Sequence, residues 1–311
     1  MMEIPIFIIN GFLDSGKTTF IIDAIEKDGF SKNGRTLVIQ CEDGEIELAE
    51  EFARKYNTSL VKIDSQEDLT PEYLSELAAR YLPDRVIFEM NCMWNMNKVF
   101  FPDGYQIAQS ITFINASTFE IYYNNLRQKF KDMIALSDLI VFNRCDDSSK
   151  LAPYQTSLKL MNSNAQFMIM NSEGIIQQAF EEPLPYDLNA EIIQIKDEDY
   201  GRWYIDTFEN PKRYENRIIE FNAMVTISRK LPKNSFIAGR YAMTCCANDV
   251  QLYGHLCTKT LGLKLKNKSW VHIVAKMSFE YSQEYQEEEG ILDPISITEI
   301  APLLKPILDL R

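Results

Sequence analysis

The stretch Gly11-Phe12-Leu13-Asp14-Ser15-Gly16-Lys17-Thr18-Thr19 constrains this chain more than any other. It fits G-x-x-x-x-G-K-[ST], the phosphate-binding loop of P-loop NTPases. An apolar, β-branched segment from Ile4 to Asn10 precedes it and is expected as a buried strand. After it, Phe20, Ile21, Ala24 and Ile25 fall at helical spacing. Strand, turn and helix in this order let turn amides and a helix N-terminus converge on one anion. Gly11 and Gly16 allow close backbone approach. Asp14, Ser15 and Thr19 complete the expected nucleotide contact. Lys17 is expected at the β- and γ-phosphates, and the Thr18 hydroxyl on Mg²⁺.

Strand–helix alternation continues from there. Strands are expected over 35–40, 60–63, 85–89, 111–115, 139–143 and 167–170. Helices are expected around Ala49 to Tyr56, from Thr70-Pro71, over 119–136 and over 151–161. This pattern calls for an α/β domain, a mainly parallel, doubly wound sheet covered on both faces. The run Glu181-Glu182-Pro183-Leu184-Pro185 reads as a linker. Beyond it strands dominate, at 218–227, 236–246, 270–281 and 295–300. A short helix is expected near 302–310, and the acidic run 284–289 as a solvated loop. The expected domains are therefore 1–187 and a small, mostly-β 188–311.

The bulk properties narrow the function. A net charge of −13 argues against a nucleic-acid binder. No apolar run reaches the length of a membrane span. The first residues read as a strand rather than a signal peptide. The six cysteines are expected as reduced thiols, and a cytoplasmic address follows.

Further site residues should end neighbouring parallel strands. Glu89 closes an apolar strand with a carboxylate, which suits Mg²⁺ or water positioning; a plain surface acid is the alternative. Asn143-Arg144-Cys145-Asp146 is similar to the guanine-reading N-K-x-D of GTPases, with the Asp146 carboxylate on the base and the Arg144 guanidinium along its face. An ordinary strand-end turn also favours Asn and Asp.

With these residues in view, roughly 4–175 resembles the CobW-like GTPases, relatives of the urease and hydrogenase metal-insertion GTPases. The matching stretches are the phosphate loop, Glu42-Asp43-Gly44-Glu45-Ile46, Ile87-Phe88-Glu89 and Leu139 to Asp146. The resemblance implies GTP binding, slow hydrolysis and management of a transition metal, with Glu42 in the first switch and Glu89 in the second nucleotide-sensing segment. The chain departs from the family pattern in four places. No Cys-x-Cys-Cys lies in the interval Ile63 to Asp68, and Met90-Asn91-Cys92 follows Glu89 where a Gly is usual. Asp14 stands where Gly is more usual, and Arg144 replaces a Lys.

In the second part, Cys245, Cys246, His255 and Cys257 fall within thirteen residues. Soft thiolates with an imidazole suit Zn²⁺. Small reduced cysteines packed in a β-core are the alternative. About 200–311 also resembles the C-terminal soluble domain of a bacterial family of proposed permease subunits, on Gly239-Arg240-Tyr241, Thr244 to Asp249 and Trp270-Val271. This resemblance implies an OB-like barrel and association with a permease.

The expected function is GTP hydrolysis, with Lys17, Glu42 and Glu89 at the chemistry, driving delivery of a divalent metal, zinc first. The expected partners are a metal-dependent client or permease subunit and a second copy of the chain. A nucleotide-gated module with little hydrolysis and an ATP-using kinase-like enzyme are the alternatives.

Overall fold

Apolar strands alternating with amphipathic helices build the first part of the chain. The computed structural model describes residues 3–27, 34–44, 46, 48–147, 151, 154–174, 176–177, 183–243, 250–283 and 287–309. The chain divides into two compact units, Met1–Leu151 with Asn164–Phe180, and Ala152–Ser163 with Glu181–Arg311.

The first unit holds β1 (Ile4–Gly11), α1 (Lys17–Lys27), β2 (Thr36–Gln40), α2 (Glu50–Lys55) and β3 (Thr58–Lys62). There follow α3 (Pro71–Tyr81), β4 (Arg85–Glu89), β5 (Tyr105–Asn115), α4 (Phe119–Asn125), α5 (Arg127–Ile134) and β6 (Leu139–Asn143). The next helix, α6 (Gln155–Met161), groups with the second unit. Then β7 (Gln166–Met170) and β8 (Ile176–Gln177) complete the sheet, in the order β3-β2-β4-β1-β5-β6-β7-β8. Its strands are parallel except for β8, which runs antiparallel to β7.

Side chains alternate across each strand, so both faces of this sheet are apolar. Ile6, Ile8, Val86 and Phe88 share one core with Leu74 and Leu77 of α3. Ile9, Val38 and Ile87 share the other with Ile21 and Ile25 of α1. Thr70 caps α3 as expected, its hydroxyl accepting from Tyr73 N at 3.2 Å. The single helix expected over 119–136 is instead two. Leu126 leaves helical geometry at φ −131°. Just before it, the Asn125 side chain donates to Ile121 O at 2.7 Å, competing with the helix backbone.

The second unit adds β9 (Ile192–Gln194), α7 (Tyr200–Glu209), β10 (Ile218–Thr226), β11 (Phe236–Met243), β12 (Val250–Cys257), β13 (Trp270–Ser282), β14 (Glu287–Ile300) and β15 (Ile307–Asp309). Strands β10, β11, β12, β14 and β13 pair successively, and β13 pairs back to β10. This closed ring of five is the OB-type barrel. Its core contains Trp203, Phe221, Phe236, Val271 and Ile273.

Three expectations fail here. Among the described residues no helix follows residue 302: Pro306 disfavours helical geometry at Lys305, and Ile307–Asp309 pairs parallel with Tyr241–Met243 instead. Glu287, Glu288 and Glu289 are not loop but the start of β14, paired with Ser282, Tyr281 and Glu280. The helix α7 stands where only strands were expected. Among the described residues, no helix is long and apolar enough to cross a membrane.

His255 lies on β12, 2 % exposed, with ring contacts to Trp203, Tyr204 and Phe208. Burial pushes its pKa down to about 3, against a hydrogen bond with the Gly290 backbone that raises it. The unfolded chain takes up this proton near 6.5, so the folded state loses stability as pH falls from about 6.5 toward 3, and loses none above that window. We predict that the urea midpoint of the full chain drops between pH 7.5 and 4.5, and that His255→Gln makes the drop shallower. An equal drop in the variant would remove His255 as a cause.

Candidate nucleotide site

The carboxyl ends of the central strands lie side by side because their registers align. Glu89 is opposite Ile9 on β1 and opposite Gln40 on β2. Asn143 ends β6 opposite Asn115. The loop after β1 therefore emerges among the ends of β2, β4 and β6, where ligands bind in open α/β sheets.

That loop has little conformational choice. Gly11 has φ 143°, and a Cβ there would lie 2.3 Å from Phe113 O. Gly16 has φ 103°, and a Cβ there would lie 2.4 Å from Asn143 Nδ2. Asn143 Nδ2 donates to Ser15 O at 3.1 Å, so one residue of the guanine-type motif also buttresses the phosphate loop. Phe12 stacks on Tyr122 at 4.8 Å and packs on Phe130 at 5.0 Å, fixing the loop to α4 and α5. Asp14 takes a left-handed conformation at φ 59°.

Lys17, the first residue of α1, is 3 % exposed rather than open to solvent. Its Nζ donates to Gly11 O at 2.8 Å and Phe12 O at 3.0 Å, and it forms an ion pair with Glu42. Burial of Glu42 outweighs this cation and holds the Glu42 carboxyl above the ordinary carboxylate range. Beside it, Thr18 Oγ1 donates to Glu89 Oε1 at 2.5 Å, and Gln40 Nε2 to Glu89 Oε2 at 2.8 Å. Glu89 is 2 % exposed, which sets aside its reading as a surface acid. Gln40 is a site residue that strand patterning alone did not single out. Ser15 Oγ is buried with no hydrogen-bond partner among the described residues.

A cavity of about 260 Å³ opens here, lined by Lys17, Thr18, Thr19, Glu42, Glu89 and Arg144. A buried cation, an unpartnered hydroxyl and two glycines without room for a Cβ fit a phosphate chain. The adjoining Thr18 hydroxyl and Glu89 carboxylate are hard oxygen donors of the kind Mg²⁺ takes.

Asp146 is exposed and outside the lining of that cavity. Its carboxylate accepts from Ser172 N at 2.9 Å and Ser172 Oγ at 2.7 Å, and these bonds lower its pKa. Ser172 follows β7, and only the β6–β7 pairing brings it to Asp146; nothing in the sequence pattern connects them. Arg144 stands at φ 56° with its amide donating to Asn143 Oδ1 at 2.9 Å.

A second cavity, of about 710 Å³, adjoins the loop and is lined by Cys41, Glu42, Asp43, Asp64 and Cys92. Burial pushes the Cys41 thiol up to about 12, aided by Glu89 and Glu42, and the Cys92 thiol up to about 11, aided by Glu42. Neither cysteine stood out in the sequence.

Of the zinc ligands expected in the second unit, His255 and Cys257 lie among the described residues. Cys245 and Cys246 lie outside the described residues. His255 Nε2 is 3.2 Å from Thr207 Oγ1, and Cys257 Sγ donates to Lys259 O at 3.5 Å. Burial pushes the Cys257 thiol up to about 12. Among the described residues no three His, Cys, Asp or Glu side chains are grouped to hold a metal.

Residues 5–169 match the family model described as "CobW/HypB/UreG, nucleotide-binding domain", and residues 170–306 match the "DUF1980 C-terminal domain". UPF0703 protein YcgQ of Bacillus subtilis (strain 168) is 25 % identical over 114 residues, 37 % of this chain and 39 % of that protein. The chain thus spans about two-fifths of that relative's length. Among solved structures, the hydrogenase maturation factor HypB from Archaeoglobus fulgidus is 17 % identical with a TM-score of 0.41, covering 55 % of this chain and 82 % of its own. Zn(II)-bound YjiA GTPase from E. coli is 12 % identical with a TM-score of 0.39, covering 87 % and 92 %. HypB from Helicobacter pylori in complex with nickel is 16 % identical with a TM-score of 0.34, covering 55 % and 80 %. The family model spans more than half of the chain and contains every residue of the strand-end cluster, and on that ground this chain belongs to the CobW/HypB/UreG family through its nucleotide-binding domain.

Proposed function

We propose that this protein binds GTP with Mg²⁺ at the strand-end cavity and couples nucleotide state to the handling of a divalent transition metal, zinc first. The observation that carries this reading is the buried Lys17 between two loop carbonyls and Glu42, beside the Thr18–Glu89 pair. In the nucleotide-free chain Glu42 balances the Lys17 charge. A phosphate chain entering the loop would compete for that lysine, so Glu42 must yield and the segment after β2 must respond. Thr18 and Glu89 would hold Mg²⁺, which supplies charge neutralisation at the phosphate oxygens. Asp146, oriented by Ser172, would accept from the guanine edge, with Arg144 along the ring face.

A slow turnover is favoured by one specific bond. Met90 N, the amide that follows Glu89, donates to Ile9 O at 2.9 Å and is committed to the sheet. It is therefore not available to sense a γ-phosphate, which supports a nucleotide-gated module with little intrinsic hydrolysis. The thiols proposed for a cargo ion are Cys41 and Cys92 beside the switch carboxylates, and Cys245, Cys246 and Cys257 with His255 in the second unit. A client protein or permease subunit is the proposed recipient, a homodimer the proposed assembly and the cytoplasm the proposed address.

Three outcomes test this reading. Lys17→Ala should weaken binding of a fluorescent GTP analogue by at least about a hundredfold, the scale of a lost buried charge contact. It should also lower the thermal midpoint, because Glu42 is left buried and unpaired. Adding Glu42→Gln should restore the midpoint but not the binding; recovery of both would move the phosphate contact off Lys17. Single-turnover GTP hydrolysis should be no faster than about 10⁻³ s⁻¹, the intrinsic GTPase scale, and a much faster rate would refute the low-hydrolysis reading. Zinc affinity, read by competition with a chromogenic chelator, should differ at least about tenfold between the empty chain and the chain loaded with Mg²⁺ and a non-hydrolysable GTP analogue. Equal affinities would break the link between nucleotide and metal.

A further inference from the structure

The β10–β11 connection, residues 227–235, and the β12–β13 connection, residues 258–269, meet at one end of the barrel. Ile227 N donates to Asn267 Oδ1 at 3.0 Å, and Lys268 N donates to Val225 O at 2.8 Å. Phe236, where β11 starts, is paired with Cys257, where β12 ends. Together the two connections carry seven basic residues and no Asp or Glu, in a chain of net charge −13. The seven are Arg229, Lys230, Lys233, Lys259, Lys264, Lys266 and Lys268, and all are exposed. Lys259 pairs with Asp293 at 2.7 Å; the other six have no ion-pair partner among the described residues. In the strand registers, the nearest acids are that same Asp293 and Glu299, which is opposite Val271.

The same two connections expose aliphatic side chains. Ile227 is 45 % exposed, Leu261 47 % and Leu263 37 %. Leu261 sits at φ 52° and Gly262 at φ 82°, in a turn closed by Leu263 N donating to Thr260 O at 3.0 Å. Two successive left-handed residues make a tight turn that ordinarily takes Asn, Asp or Gly at both positions. A leucine there is disfavoured by its backbone and still leaves about half of its surface exposed. Contact with an apolar medium outside the chain would cover the rest.

Lysines on flexible stems interleaved with exposed aliphatics are the chemistry of a charged bilayer surface. The stems lie along the interface, the ammonium groups reach lipid phosphates, and the aliphatics enter the headgroup layer. A single-stranded nucleic acid fits less well. OB-type barrels bind such strands by stacking bases on aromatic side chains, and neither connection contains a Phe, Tyr, Trp or His. We propose that this end of the barrel docks on an anionic phospholipid surface, with Ile227, Leu261 and Leu263 inserted and the lysine cluster on the headgroup phosphates. This assignment is independent of the nucleotide reading.

The test is co-sedimentation of the full chain with vesicles of phosphatidylcholine alone, or with about one-third phosphatidylglycerol. Binding is expected only to the anionic vesicles, and it should fall steeply as salt is added. The combined variant Lys264→Glu, Lys266→Glu and Lys268→Glu should bind at least about a hundredfold more weakly, since each lysine near such a surface contributes about fivefold. Leu261→Asn should also weaken vesicle binding. It should leave the thermal midpoint equal or higher, because Asn suits the left-handed position better. A merely structural role for Leu261 predicts unchanged vesicle binding. Arg229→Gln with Lys230→Gln provides a second, milder variant if the triple reversal impairs folding. The proposal is overturned if the wild-type chain ignores anionic vesicles or the folded variants bind them as well as wild type does. Patch-dependent binding of a single-stranded RNA oligomer in place of vesicles would overturn it equally.

Discussion

The Lys17 ammonium is the group on which the first unit turns. It is almost wholly buried, and three anionic or dipolar partners converge on it: Gly11 O, Phe12 O and the Glu42 carboxylate. A buried cation is tolerated only when it is paired and hydrogen-bonded. Two of those partners belong to the phosphate loop itself, and the third comes from the segment after β2. The loop is held in turn by Asn143 from β6 and by Phe12 stacked on Tyr122. One charge therefore ties together strand ends that are far apart in sequence. On the proposed reading, the same charge is what a phosphate would claim, and its entry would displace the Glu42 carboxylate.

Next to that charge, Glu89 is satisfied at both oxygens, by Thr18 and by Gln40. The arrangement follows from register, because β2 and β4 end level with one another while β1 runs on past Ile9, the partner of Glu89, to Gly11. A one-residue slip of β4 would turn Glu89 to the other face of the sheet and replace it with an apolar residue. Parallel pairing of central strands thus specifies the site as firmly as the glycine turn does.

Much of this was legible in the sequence, for identifiable reasons. The phosphate loop has a fixed spacing, the flanking strand and helix have clear periods, and Glu89 and Asn143 end apolar runs. Ser172 and Gln40 were hidden because their roles arise from strand pairing across many residues rather than from local pattern. The helix α7 was hidden by its composition: Tyr200, Gly201, Trp203 and Thr207 are poor helix formers, and burial of its aromatic face against the barrel overrides their propensity. The strand at Ile307–Asp309 was hidden because three residues carry no period of their own; a pairing with β11 defines it. In the second unit, β12 sets His255 among aromatic rings and packs Cys257 in the barrel core, an enclosure that the spacing of the residues does not reveal.

The central claim is that the strand-end cavity and the Asn143-to-Asp146 turn form a guanine nucleotide site. Calorimetric titration of the full chain with GTP and with ATP, each with Mg²⁺, tests it most directly. A carboxylate fixed by Ser172 to accept from the base should bind GTP at least about a hundredfold more tightly than ATP, because adenine leaves that carboxylate unpaired. Equal affinity for the two nucleotides would contradict the account.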